Sequence, residues 1–398
     1  MEASINNIKK KPALFILGVH RSGTTLLEQM LDAHSQVAVC PEMSSGMTHW
    51  RLNATKEISD KWKHLLIINY YYHRTNLFED SINLCLARQA IREFKFPIST
   101  NTWYDALIGD YLKEKKASWF GEKTPENTFF VPTLNEAIPE SQFIMILRNP
   151  FDIVVSLTEA ILSPDKSPLP NKWLYHFAVT VKRGLKNMQS HHLPKKIDLL
   201  RITYEDLTRN PEPILQQICT FLNINFEPGM LAFQFRKKYA RDKEVMRQIL
   251  GRLDEPLTDQ RINRSYSILS PAQYAYLQAY WAPELKLLPY DFPIANTTLS
   301  LQMKMHLYVA KLAFYFKTYL WTEYKNKLRF QCHYYAILLL RHTFLKNRIF
   351  KNLIINGKDW ENIIDHGYND KSRCNGWNDK LVILVGSYDY SIISVPYA

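Results

Sequence analysis

Residues Arg21-Ser22-Gly23-Thr24-Thr25 carry the densest chemical signal in the chain. Gly18 and Gly23 stand five positions apart, between an apolar run (13–18) and a segment of helical period. A turn of this build aims successive backbone N–H groups and a helix N-terminus at an anion. Thr24 stands where a Walker A loop has its Lys, and Arg21 supplies positive charge from inside the loop instead. A triphosphate site also needs an acid at the end of another strand to hold Mg²⁺, whereas the run 142–147 leads into Arg148. The loop therefore reads as a direct anion grip that needs no metal. A plain strand-to-helix turn capped by Thr24 or Thr25 is the alternative.

Three further places could converge on that grip. In Arg148-Asn149-Pro150-Phe151-Asp152-Ile153-Val154-Val155-Ser156, a strand-ending Arg, a Pro at a helix start and a Ser eight residues on put a guanidinium and a hydroxyl near one helix end. Taken singly, Arg148 reads as a surface ion pair and Ser156 as a helix-interior Ser. Gly121-Glu122-Lys123-Thr124-Pro125 ends another apolar run and points Lys123 at the same sheet edge as Arg21, or leaves it solvated at a turn. Leu31-Asp32-Ala33-His34 precedes Cys40-Pro41-Glu42. Glu42 reads as a general base or as a salt-bridge or capping residue, with His20, His34, His49 and His73 as alternative bases.

With these residues the chain resembles the sulfotransferases that use 3′-phosphoadenosine 5′-phosphosulfate (PAPS), in the Golgi-type and bacterial branch that includes the tyrosylprotein sulfotransferases. The similarity spans roughly residues 12–290. The resemblance implies a P-loop-like α/β fold and PAPS as co-substrate, with no metal. It implies that Arg21, Ser22, Gly23, Thr24 and Thr25 hold the 5′-phosphosulfate and that Arg148 and Ser156 hold the 3′-phosphate. Lys123 would then stabilise the bridging oxygen, and Arg21 with it would act catalytically by neutralising charge on the transferred group and the leaving phosphate. Glu42, twenty-one residues after Arg21, would be the catalytic base. The implied reaction is in-line sulfuryl transfer to an acceptor hydroxyl on a glycan, a peptide tyrosine or a small molecule. A P-loop kinase for a small metabolite, or a non-catalytic membrane- or polyanion-binding protein on the same fold, is the competing reading.

The elements that must position these residues are legible as a pattern. Short apolar runs alternate with helix-period segments, as in a parallel sheet flanked by helices. The expected strands are 13–18, 119–121, 142–147 and 197–203. The expected helix faces are Leu27, Met30, Leu31 and His34, then Ile153, Val154, Leu157 and Ile161, then Ile214, Leu215, Ile218 and Leu222. A helical insertion over about 50–118, rich in Trp and Tyr, is expected to cover the carboxyl edge of the sheet. Tyr204, Glu205 and Asp206 read as scaffold, and the segment around Arg264 and Ser265 as a loose neighbour of the 3′-phosphate site. Pro283, Pro289 and Pro293 mark the close of the α/β domain, giving a domain 12–295 and a helical, basic, aromatic-rich tail 296–398.

Bulk properties agree with a globular enzyme. The 398 residues are 46% hydrophobic, enough for a sizeable core. The five Cys are scattered without metal or disulfide spacing, which suggests reduced thiols and a cytoplasmic location. Of the net charge of +12, about nine charges fall in residues 299–351, where ten Lys/Arg face the single Glu323. Nucleic acid is thus not an expected partner. The tail is expected to pack on the domain, to make a peripheral membrane contact through 299–351, or to bind an acidic acceptor. Oligomeric state is not legible.

Overall fold

A computed structural model of the chain describes residues 12–59, 63–64, 67, 95–161, 170–189, 193–194, 196–235, 257–295 and 297–315. Trp62, Tyr70, Tyr71, Tyr72 and His73, the Pro-rich loop 163–169, and the tail beyond Tyr315 lie outside the described residues. So do Cys85, Cys332 and Cys374; Cys40 and Cys219 are buried free thiols. The chain divides into two units, Met1–Lys325 and Asn326–Ala398, and the described residues all belong to the first.

Five parallel strands form the central sheet: β1 (Ala13–Leu17), β2 (Val37–Pro41), β5 (Trp119–Lys123), β6 (Gln142–Leu147) and β7 (Asp198–Thr203), in the order β2-β5-β1-β6-β7. A two-residue antiparallel pair, β3 (Glu57–Ile58) and β4 (Ile98–Ser99), lies apart from it. Helices are α1 (Thr24–Asp32), α2 (Ser45–Leu52), α3 (Thr100–Lys115), α4 (Val131–Ala137), α5 (Pro150–Ile161), α6 (Asn171–Asn187), α7 (Tyr204–Arg209), α8 (Pro211–Phe221), α9 (Ser265–Ile268), α10 (Pro271–Leu285) and α11 (Leu301–Tyr315).

β1 is buried along its whole length because helices cover both faces of the sheet, so it reads as an unbroken apolar run rather than an alternating one. α1 lays Leu27, Met30 and Leu31 on that sheet, in a core shared with Leu14, Ile16, Ile144, Ile146, Leu215 and Ile218. Each such side chain contributes about 2 kcal/mol of burial. α1 stops at Asp32, so His34 belongs to the turn that follows and not to the helix face. That turn explains β2, which the pattern did not foretell. Asp32 Oδ1 accepts the Val39 N–H at 2.7 Å, and His34 ties Gln36 N–H (3.0 Å) to the Asn225 carbonyl (2.7 Å). The chain is thereby turned back into the sheet beside β5.

β1 lies between β5 and β6, with β2 beyond β5, so the loops leaving four strand ends share one carboxyl edge. In open α/β sheets that edge is where ligands bind. α10 carries Pro283 inside it and ends at Leu285, ahead of Pro289 and Pro293.

Candidate functional site

The anion loop fills the space between β1 and α1. Gly18 is pinned by Thr128, whose hydroxyl accepts its N–H at 2.9 Å and donates to its carbonyl at 3.2 Å. Ser22 N–H returns to the Val19 carbonyl. Gly23 sits at φ +101, and a Cβ there would lie 2.5 Å from the Tyr204 ring, so only glycine fits. α1 then begins with no side-chain cap and no acid in its first turn. Its leading N–H groups and positive end are thus available to an anion. The Ser22 hydroxyl is buried with no hydrogen-bond partner among the described residues, as expected of a group built for a ligand.

Lys123, the last residue of β5, is 3% exposed and held between two carboxylates. Glu42 Oε1 lies 2.9 Å from its Nζ and Glu28 Oε2 lies 3.4 Å away. Burial alone would lower the lysine pKa; the Glu42 charge, then that of Glu28, outweighs it, so the ammonium titrates above its ordinary value. Glu42 is one-third exposed, whereas Glu28 is fully buried within α1. Glu42 follows β2 directly, and its N–H donates to the Lys123 carbonyl at 2.8 Å. Its φ of 48 is left-handed, as are those of Arg21 (69) and Ser44 (58). Non-glycine residues at positive φ store strain, and these three, of eight among the described residues, stand in the loops that leave β1 and β2.

Behind Lys123, Glu122 points to the other side of β5. Its Oε1 accepts from Ser45 N–H (3.1 Å), Thr124 Oγ1 (2.8 Å) and Asn127 Nδ2 (2.8 Å). Burial raises its pKa in spite of these bonds. Glu122 is a brace joining the start of α2 to the loop after β5, and through it α2 holds the chain near Glu42.

On the β6 side, Arg21 Nε donates to Ser156 Oγ at 3.2 Å, and Arg148 donates to the Arg21 carbonyl at 2.8 Å. Arg148 also donates to the Arg261 carbonyl (3.1 Å) and lies over the Tyr204 ring at 4.2 Å. It clamps the anion loop to the 261–265 segment, while its Nε is buried with no hydrogen-bond partner among the described residues. Asp152 fixes that segment by accepting from Asn263 N–H (2.7 Å) and Ser265 N–H (2.9 Å). Ser265 Oγ is likewise buried with no hydrogen-bond partner among the described residues. Glu205 acts as scaffold, bonded to Asn149 N–H and to the Tyr290 hydroxyl.

All nine expected site residues therefore gather at one carboxyl edge, in two groups. Glu42 and Lys123 stand on the β2–β5 side, Arg21, Arg148 and Ser156 on the β6 side, and the Ser22–Thr25 turn between them. Arg21 bonds to Ser156, so its side chain serves the β6 group. Of the alternative bases, His34 is tied into its turn. His49 is buried against the Ala54 carbonyl, and burial lowers its pKa to about 4. His20 lies 3.8 Å from Glu126, close to the loop. Trp103 and Tyr104 of the insertion are core residues. Glu28, Thr128 and Asp152 were not singled out from sequence: an acid in the first turns of a helix, a Thr after a Pro turn and an acid at a helix start all read as ordinary helix chemistry.

The sulfotransferase family model matches residues 12–228. A candidate protein-tyrosine sulfotransferase of Caenorhabditis briggsae is 22% identical over 234 residues, covering 55% of this chain and 68% of that protein. The nodulation protein NoeE of Sinorhizobium fredii is 28% identical over 143 residues, covering 36% of this chain and only 30% of its own length. Among solved structures, the sulfotransferase domain from the curacin biosynthetic pathway aligns over 72% of this chain and 100% of that chain, at 18% identity and a TM-score of 0.44.

Proposed function

This chain belongs to the sulfotransferase family, and from that premise we propose that it moves a sulfuryl group from PAPS to an acceptor hydroxyl by in-line displacement. The observation that carries the reading is the convergence, on one sheet edge, of an uncapped helix end with its buried Ser22 hydroxyl and of Lys123 poised between carboxylates. That donor set fits a sulfated phosphate: N–H groups for equatorial oxygens, and a cation for the charge that builds on the departing one. On the β6 side of the same edge, Arg148 Nε and the Ser156 and Ser265 hydroxyls fit a second phosphate.

In the step proposed, the acceptor oxygen bonds to sulfur as the bond from sulfur to the bridging oxygen breaks. The hydroxyl proton passes to Glu42, and the electron pair leaves on the 5′-phosphate of 3′-phosphoadenosine 5′-phosphate (PAP). Lys123 offsets the charge gathering on that phosphate, and the loop N–H groups keep the sulfuryl group in line. The exposed side of Glu42 leaves it open to an acceptor, while Glu28 retains the lysine from within. No metal is needed for this division of labour. The acceptor is a hydroxyl; within the glycan, peptide-tyrosine and small-molecule classes, the name of the C. briggsae relative favours a peptide tyrosine.

Thermal unfolding with added nucleotide tests the donor. PAP should raise the midpoint in proportion to the logarithm of its concentration, and ATP with Mg²⁺ should not. Stabilisation by ATP and Mg²⁺ alone would replace this reading with a kinase.

A further inference from the structure

Helix α11 (Leu301–Tyr315) has two apolar faces. One is docked on the domain: Leu307 is buried, His306 Nδ1 lies 2.9 Å from the Tyr276 hydroxyl, and the His306 and Tyr175 rings are 5.4 Å apart. The other faces outward. Leu301, Met305, Tyr308, Val309 and Leu312 are exposed by 76%, 64%, 65%, 60% and 43%. Spacings of four, three and four residues line up 301, 305, 308 and 312 as one stripe, with Val309 at its margin. Single exposed apolar residues need no account, but a continuous stripe marks a contact surface.

The charges beside the stripe have one sign. Lys304 and Lys311, both exposed and seven residues apart, run along one flank, and α11 contains no Asp or Glu. The lack of acids continues in sequence as far as Glu323. We propose that this face of α11 lies on an anionic membrane surface, with the five apolar side chains entering the headgroup boundary and the two lysines meeting acidic lipid. The inference is independent of the sulfotransferase reading.

Two other occupants fit the pattern less well. A second copy pairing through the stripe would set Lys304 and Lys311 at flanking positions with no acid of α11 to meet them, where paired helices place opposite charges. A soluble polyanion would satisfy the lysines and leave the apolar stripe in water. A lipid interface satisfies both, and a helix that lies on the surface needs no spanning length. Among the described residues no helix is long and apolar enough to cross a membrane.

The test is flotation of the full chain with phosphatidylcholine vesicles, with and without phosphatidylserine, at low and high salt. The proposal expects co-flotation with the phosphatidylserine vesicles at low salt and its loss at high salt. The double variant Leu301→Glu, Met305→Glu should abolish flotation with an unchanged melting temperature, and Val309→Glu offers a milder single change. Lys304→Gln with Lys311→Gln should weaken binding by about thirtyfold, at about 1 kcal/mol per charge. Absence of flotation, or flotation that survives the Leu301 and Met305 changes, overturns the proposal. So does a dimer in sedimentation velocity that the same double variant dissociates, which assigns the face to a second copy.

Discussion

Lys123 Nζ and Glu42 Oε1 meet at 2.9 Å across the carboxyl ends of neighbouring strands, joining the two groups of opposite charge that the proposed reaction needs. Glu28 closes on the same ammonium from inside the protein at 3.4 Å. Lys123 thus answers to one carboxylate that is open to solvent and one that is not. In the proposed reaction Glu28 would keep the lysine charged and in place when Glu42 turns to an acceptor proton.

Lys123→Met should reduce turnover by about 10²–10³-fold, the scale of losing one preorganised charge-stabilising group. It should also cost about 3–5 kcal/mol of stability, because Glu28 is left buried without its cation. Adding Glu28→Gln should restore part of the stability and none of the turnover. Urea unfolding and rate measurements on the single and double variants separate the two effects.

Glu42→Gln should lower kcat by about 10²–10⁴-fold while leaving PAP affinity within about threefold of wild type, as a base lost from a retained site would. Glu28 still pairs with Lys123 in this variant, so the loss of stability should be smaller than for Lys123→Met. A variant that turns over at nearly the wild-type rate would remove Glu42 from the role of base and leave His20, beside the loop, as the next residue to replace.

The residues proposed to hold the 3′-phosphate divide between clamp and ligand. Ser156→Ala removes the acceptor of Arg21 Nε and one hydroxyl, and should weaken PAP binding by about 1 kcal/mol with little loss of stability. Arg148→Ala removes bonds to the Arg21 and Arg261 carbonyls as well, and should both destabilise the fold and weaken PAP binding by about 2 kcal/mol or more. Calorimetric titration with PAP and with its analogue lacking the 3′-phosphate reads the difference: each variant should narrow the gap between the two ligands.

Gly23→Ala places a methyl group 2.5 Å from the Tyr204 ring at a φ of +101. Strain and clash together should cost about 1–3 kcal/mol and abolish PAP binding, since the turn that aims the α1 N–H groups must open. Melting temperature and titration on the same sample check both outcomes.

His49 gives the fold an acid limb. Its pKa is lowered to about 4 by burial, against the opposing bond to the Ala54 carbonyl, so the folded state holds it neutral. The unfolded chain binds the proton from about pH 6.5 downward, so stability falls as pH drops from about 6.5 to about 4, by about 3 kcal/mol in all. His49→Asn should flatten this part of the stability curve in urea titrations at pH 7 and pH 5, even if it lowers stability at both.

How far sequence alone reached follows from what each element depends on. β1 and β6 are legible because strands covered on both faces must be apolar throughout, and the loop is legible because two glycines bracket it. β2 escapes because its five residues owe their place to Asp32 and His34, whose bonds form only once the turn is folded. The gathering of Arg21, Lys123 and Arg148 at one edge follows from strand ends and needs no side-chain detail. The direction of Arg21 does not: a left-handed backbone at that residue turns it toward Ser156, and spacing carries no trace of it. Glu28 is hidden for a similar reason, since an acid early in an amphipathic helix looks like solvent-facing charge until Lys123 is seen to cover it.

Sulfuryl transfer itself is read by incubating the purified chain, beside Lys123→Met and Glu42→Gln, with a cell extract and PAPS carrying radiolabelled sulfate. PAPS-dependent transfer requires label in one or a few hydroxyl-bearing products with the wild-type protein, one molecule of PAP released for each sulfate transferred, and label reduced at least about a hundredfold in both variants. Equal labelling by all three proteins, or binding of PAP without any PAPS-dependent labelling across extracts, would contradict it.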